Sequence, residues 1–153
     1  MIWTKALPSG APESCVMMSA MKKPDDEKKP TPWVLVVDDD LFILKVYQAK
    51  LAIEHIEYKV ASDGEEGLRL AKSSDPPAVV LLDLMLPKKS GFEVLEEIRK
   101  DESLKNVAVI IQSNLSQKAD ADRVMQLGAS EFIVKGSIKI DELIARIRHY
   151  LSR

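Results

Sequence analysis

The chain of 153 residues holds a single cysteine, Cys15. One thiol excludes an internal disulfide framework and a Cys-rich metal centre, so a reducing compartment, the cytoplasm, is expected. Net charge is also nearly absent: 22 Lys and Arg against 24 Asp and Glu give −2. That balance offers no basic footprint for nucleic acid and does not favour disorder. Long apolar runs are missing. The longest, Trp33–Val37, Ala78–Leu82 and Val107–Ile111, are five residues each, whereas a membrane span needs about 20. No apolar stretch follows Lys5, so no secretory signal is expected. Histidine is limited to His55 and His149, both expected at the surface. Gly64 and Gly67 do not follow a buried strand in a G-x-G-x-x-G frame, so nothing supports a dinucleotide site.

Proline is unevenly spread. Five of the eight prolines (Pro8, Pro12, Pro24, Pro30, Pro32) lie in the first 32 residues, with four of the six methionines and the mixed charge cluster Lys22–Lys29. No helical or strand period runs through this stretch. It is expected to be a disordered or loosely attached leader, with a docking peptide as the alternative and Met17, Met18 or Met21 as possible starts.

The domain is expected over 33–153, where strand-like and helix-like segments alternate. Trp33–Val37 is a continuous apolar run, the mark of a strand buried on both faces. Leu41 to about Glu54 carries apolar residues on most faces and is expected to be a well-buried helix. Tyr58 and Val60 alternate with Glu57 and Lys59, as in an edge strand. Asp63 and Glu66 have capping-box spacing and open a helix to about Ser73. Ala78–Leu82 is a second buried strand. Ser90 and Glu93 form another box, with Phe92, Leu95 and Ile98 as the inner stripe. Val107–Ile111 is the next strand. Ser116 is expected to cap a helix with stripe Ala121, Val124, Met125 and Gly128. Phe132–Val134 is a short strand, and Ile140, Leu143, Ile144, Ile147 and Leu151 mark the last helix. Five βα units imply an α/β fold, a five-stranded parallel sheet covered on both faces. The most apolar strands belong at its centre, which gives the doubly wound order 2-1-3-4-5.

In such sheets the site lies at the carboxyl ends of the strands, beside the switch point. Here those ends are Asp38-Asp39-Asp40, Asp83, Ser113 and Lys135. Three carboxylates packed together raise one another's pKa. A hard divalent cation such as Mg²⁺, which favours carboxylates and phosphate, removes that conflict. Three acids, one Lys and Mg²⁺ sum to zero charge. Asp40 is expected to cap the first helix. A carboxylate beside Mg²⁺ is able to attack phosphorus and form an aspartyl phosphate. Lys135 and the metal offset charge on the phosphoryl oxygens, and Ser113 is a hydrogen-bond donor to them.

With these residues in place, the chain resembles the receiver domain of bacterial two-component response regulators, the chemotaxis response regulator being the simplest relative. The resemblance is carried by Val34–Asp40, by Leu81–Pro87 with Gly91, by Ile110–Ser113, and by Gly128-Ala129 with Phe132–Lys135. It implies a flavodoxin-like receiver fold with five helices. It implies that Asp83 is the phosphoacceptor and that Asp39, Asp83 and the Met85 carbonyl ligate Mg²⁺, with Asp38 acting through a bound water. Ser113 and Lys135 would hold the phosphoryl oxygens, and Phe132 would be the aromatic switch. Helix four, strand five and helix five would form the protein-binding face. The donor would be a phosphohistidine on a sensor histidine kinase or phosphotransfer protein, with a downstream protein target and neither nucleic acid nor membrane as partner. The chain would not be a turnover enzyme but would assist its own phosphorylation. Read to residue 153, it is expected to act as a stand-alone receiver.

Two departures from the family's pattern stand out. Gly136 follows Lys135 where Pro is usual, often in a cis bond. A cis bond before a non-proline residue costs about 2.5–4 kcal/mol, so the Lys135 loop is expected to be looser or differently shaped. Met85 and Leu115, two residues past Asp83 and Ser113, are apolar where dephosphorylation is tuned, so a long-lived phosphoform is expected. Lys88-Lys89 reads as a solvated loop. Two other readings compete. One is a haloacid-dehalogenase-like phosphatase using Asp38 and Asp40, which would leave Asp83 idle. The other is a degenerate receiver acting as a constitutive binding module.

Overall fold

The computed structural model describes residues 31–153. The expected leader therefore lies outside the described residues, save for Thr31 and Pro32. Five strands form: β1 (Trp33–Val37), β2 (Glu57–Ala61), β3 (Val79–Leu82), β4 (Ala108–Ser113) and β5 (Glu131–Val134). They alternate with α1 (Leu41–Ile53), α2 (Gly64–Ala71), α3 (Gly91–Lys100), α4 (Lys118–Gln126) and α5 (Ile140–Leu151). Every strand pair is parallel and the order is β2-β1-β3-β4-β5, as the apolar content of the strands predicts. Among the described residues, no helix is long and apolar enough to cross a membrane.

The central strands are apolar throughout because both of their faces meet helices. Val34, Val36, Leu81, Ile110 and Ile133 face α1 and α5, where Leu44, Leu51, Leu143, Ile144 and Ile147 cover them. Leu35, Val37, Leu82 and Ile111 face the other way, onto Leu68, Leu95, Ile98 and Val124 of α2, α3 and α4. Burying each such Leu or Ile contributes about 1.5–3 kcal/mol. Strand alternation thus divides the core into two, one on each side of the sheet.

Several local expectations are corrected. Helix α1 is not buried on most faces: Leu41, Phe42 and Ile53 are 65%, 74% and 70% exposed. Only one side of a surface helix meets the sheet, here Leu44, Tyr47 and Leu51 at i, i+3, i+7 spacing. Its opposite side stays apolar and uncovered. Ser116 caps nothing; α4 begins after Gln117, without a side-chain cap bond. Met125 points outward, and Val124 alone is fully buried in that helix. Asp63 does accept from the Glu66 N–H at 2.7 Å, but the Glu66 carboxylate pairs with Arg69 instead of closing the box. Ser90 and Glu93 form both halves of theirs, at 3.2 and 3.0 Å. In α3 the inner stripe also includes Val94, and Phe92 packs partly buried against the core with the Arg123 guanidinium over its ring. Lys88 is exposed, as expected, and Lys89 is partly covered, with its ammonium on Glu97 at 2.8 Å. One contact had no sequence signal: Arg99 donates to the carbonyls of Gly128 and Val107, both at 2.8 Å, and ties α3 to the loops flanking β4 and β5.

Candidate functional site

Strand register brings the functional residues to one rim. Val37 pairs with Leu82, Leu82 with Ile111, and Ser113 with Val134. The residues that follow these pairs, Asp38, Asp83 and Lys135, continue the ladder: their N–H groups donate to Ala61, Val37 and Ser113 carbonyls. Asp38 and Asp83 are 3% and 6% exposed; Asp39 is exposed. One carboxylate oxygen from each of the three lies within 4.8 Å of the others.

The buried acids are held at both oxygens. Asp38 Oδ1 accepts from the Asp40 N–H at 2.9 Å, and Asp83 Oδ1 accepts from the Met85 N–H at 3.2 Å. Their remaining oxygens share one cation: Lys135 Nζ lies 2.7 Å from Asp38 Oδ2 and 3.0 Å from Asp83 Oδ2. Burial pushes the Asp83 carboxyl above the ordinary carboxylate range, against the Lys135 ammonium that favours its charged form. Burial also disfavours the Lys135 ammonium, but its bonds to Asp38 and Asp83 outweigh this and hold it above the usual lysine range. Three carboxylates and one ammonium leave two negative charges, the charge of one divalent cation. An all-oxygen donor set of this kind suits a hard metal ion.

The other expected site residues are placed as follows. Ser113 is fully buried at the end of β4, and its hydroxyl accepts from the Leu115 N–H at 3.1 Å; among the described residues it does not bond the acids. Phe132 is half-buried in β5, against the core on the α2–α4 side. The Met85 side chain is 61% exposed. Asp40 is spent as the N-cap of α1, accepting from Phe42 and Ile43 N–H groups at 3.0 and 3.3 Å. Gly91 starts α3 directly against the backbone of Asp83 and Leu84. A Cβ there would collide with the Asp83 carbonyl oxygen and Leu84 Cα.

The family model for the response regulator receiver domain matches residues 34–148, most of the chain and all of this rim. The chain belongs to the response regulator receiver domain family. Among curated relatives, this receiver is 41% identical to the probable transcriptional regulator ycf27 of Guillardia theta over 120 residues, covering 78% of this chain and 45% of that protein. It is 33% identical to the DNA-binding dual master transcriptional regulator RpaA of Synechocystis over 122 residues, 80% of this chain and 50% of that one. The chain therefore spans about half the length of these curated relatives. Among solved structures, the Francisella response regulator 1452 receiver domain is similar with TM-score 0.72 and 33% identity, covering 80% of this chain and 98% of that one. The BeF3-activated DrrB receiver domain gives TM-score 0.69 and 31% identity, covering 80% and 99%.

The receiver's Lys135 loop is differently shaped rather than loose. Lys135 N–H donates to Ser113 O at 2.8 Å, and Ser137 closes the turn on Val134 O through its N–H at 3.0 Å and its hydroxyl at 2.6 Å. Gly136 sits inside that turn with φ +84°, an angle proline is unable to adopt because its ring holds φ near about −65°. Gly136→Ala is therefore expected to lower stability by about 1 kcal/mol. Gly136→Pro is expected to cost more and to slow any reaction that depends on Lys135. Thermal melts of the two variants check this; a Gly136→Pro protein as stable as wild type would contradict it.

Sequence reading missed two polar residues under the rim. Tyr47 of α1 donates its hydroxyl to Gln112 Oε1 of β4 at 2.7 Å, and Gln112 is 6% exposed. A glutamine directly after the apolar run Val107–Ile111, still within β4, was the available signal.

Proposed function

We propose that this receiver is a phosphorylation switch in which Asp83 accepts a phosphoryl group from a phosphohistidine donor. The observation that carries the reading is the buried Asp83 carboxylate, which shares Lys135 with Asp38 at the rim of the sheet. The Asp83–phosphorus bond forms as the donor's nitrogen–phosphorus bond breaks. The electron pair stays on the imidazole nitrogen, which takes a proton from water. Asp38, Asp39 and Asp83, with the Met85 carbonyl, are the groups that would hold Mg²⁺. Bound there, Mg²⁺ would offset the negative charge of the transferring group. Lys135 orients and neutralises one phosphoryl oxygen, and the Ser113 hydroxyl donates to another. The protein is thus a self-assisting acceptor and not a turnover enzyme. Asp40, the second of the two acids the phosphatase alternative would use, is consumed as a helix cap, which disfavours that reading.

The donor, a sensor histidine kinase or phosphotransfer protein, would seat on the uncovered side of α1. Leu41 and Phe42 stand directly after Asp38–Asp40, so a partner covering them brings its histidine over Asp83. The output would leave through α4, β5 and α5 to a protein target in the cytoplasm, with Phe132 following Ser113. The leader, residues 1–32, is assigned no part in the transfer.

Incubation with Mg²⁺ and acetyl phosphate tests the reading: intact mass should rise by one phosphoryl group. Because neither Met85 nor Leu115 is able to orient an attacking water, the modified form should persist for many minutes without a phosphatase. Decay within seconds, followed by mass spectrometry, would contradict that expectation.

A further inference from the structure

We propose that Tyr47 and Gln112 are positioning residues for Lys135, acting as a single hydrogen-bonded unit beneath its stem. The inference rests on the receiver reading above and deepens it.

The placement follows from strand alternation. Ile110 faces α1 and α5, as do Leu81 on β3 and Ile133 on β5. Two residues further along each strand, the same side carries Gln112, Asp83 and Lys135. Gln112 pairs with Ile133, and Asp83 follows Leu82, the partner of Ile111, so Gln112 stands between Asp83 and β5. Lys135 starts on β5 and ends at Asp83 on β3 and Asp38 on β1. Its stem must cross β4, and Gln112 is the β4 strand residue on that side at the rim end.

The Lys135 side chain is only 10% exposed, so it is walled on the helix side as well. Tyr47, bonded to Gln112 and packed on that same side of the sheet, is the residue assigned to that wall. Its hydroxyl lies close enough to the site for the charges of Lys135, Asp38 and Asp83 to act on it. The 2.7 Å bond to Gln112 joins wall and floor across 65 residues of sequence. Lys135 held on this support keeps its ammonium on Asp38 Oδ2 and Asp83 Oδ2. A divalent cation would draw on the same carboxylates, and two cations sharing them repel. The support therefore favours placement of the ammonium for phosphoryl transfer at the expense of metal affinity.

That opposition makes the test specific. Tyr47→Phe, Gln112→Met and the double variant are compared with wild type in two measurements: Mg²⁺ affinity by calorimetry without any donor, and phosphorylation rate with acetyl phosphate at saturating Mg²⁺. Each single variant should bind Mg²⁺ about threefold tighter yet phosphorylate about fivefold slower, and the double variant should match the slower single. General loosening of the fold would instead weaken both properties together with the melting temperature, and that result overturns the proposal. So do values within twofold of wild type, or losses that multiply in the double variant. Tyr47→Phe removes one oxygen atom and keeps the ring, so it carries the test even where Gln112→Met disturbs folding. Should wild type bind Mg²⁺ but take no phosphoryl group, the receiver reading fails, while the Mg²⁺ arm still decides whether the pair positions Lys135.

Discussion

Asp83→Asn should abolish phosphorylation and at the same time make the protein more stable. The first effect follows from chemistry: the carboxamide is not a competent nucleophile toward phosphorus, and Asp38 and Asp40 are already engaged, one with Lys135 and one as a helix cap. The second follows from charge. Burial holds the Asp83 carboxyl above its ordinary pKa, so its ionised form is less favourable in the folded chain than in the unfolded one. A raised carboxyl destabilises the fold at pH values above its folded pKa, and the penalty fades as pH falls through that value. Asparagine removes the excess charge and leaves the Lys135–Asp38 pair intact. A gain of about 1 kcal/mol at neutral pH is expected, or about 4 °C in melting temperature, shrinking toward zero in acid. Melts of wild type and variant across pH check the sign. A variant less stable than wild type at pH 7 would show that Asp83 is held by favourable contacts and is not kept reactive at a cost.

Lys135→Met should have the largest structural effect of any change at the rim. Among the described residues the ammonium is the one cation bonded to Asp38 and Asp83, and both acids are nearly inaccessible to water. Removing one partner of such a buried network typically costs about 3–5 kcal/mol, because the charges left behind are uncompensated. The loss should be specific in two ways. Lys135 is held above its ordinary pKa by the carboxylates, so its stabilisation is fully present below the unfolded lysine pKa and disappears as pH rises through the folded one. The gap between wild type and variant should therefore persist at neutral pH and close in strongly alkaline solution. Added Mg²⁺ should also restore more stability to the variant than to wild type, since it supplies the missing positive charge. Denaturant unfolding with and without Mg²⁺ measures both. Equal Mg²⁺ stabilisation of the two proteins would mean that the metal does not share the acids with Lys135.

Much of this arrangement is legible in the sequence because parallel strands announce themselves. Unbroken runs such as Val34–Val37 and Val79–Leu82 have no polar face, so they belong at the centre of a covered sheet. Once they are placed there, Asp38, Asp83, Ser113 and Lys135 must share a rim. The apolar count of α1 misled for a related reason: Phe42, Val46 and Ile53 are as hydrophobic as Leu44 and Leu51, and composition alone does not say which side meets the sheet. Local capping was equally ambiguous, since Ser116 has the right chemistry one residue too early. The Tyr47–Gln112 bond and the Arg99 anchor depend on residues far apart in the chain, and neither has a local period to reveal it. The Gly136 turn was half legible: the missing proline was evident, but only the φ of +84° shows that glycine is required there.

The most direct test of the central claim is to locate the phosphoryl group after reaction with Mg²⁺ and acetyl phosphate, by peptide mass spectrometry under conditions that preserve acyl phosphates. The modification should map to Asp83 alone. An unmodified chain, or a phosphoryl group found on Asp38 or Asp40, would contradict the account.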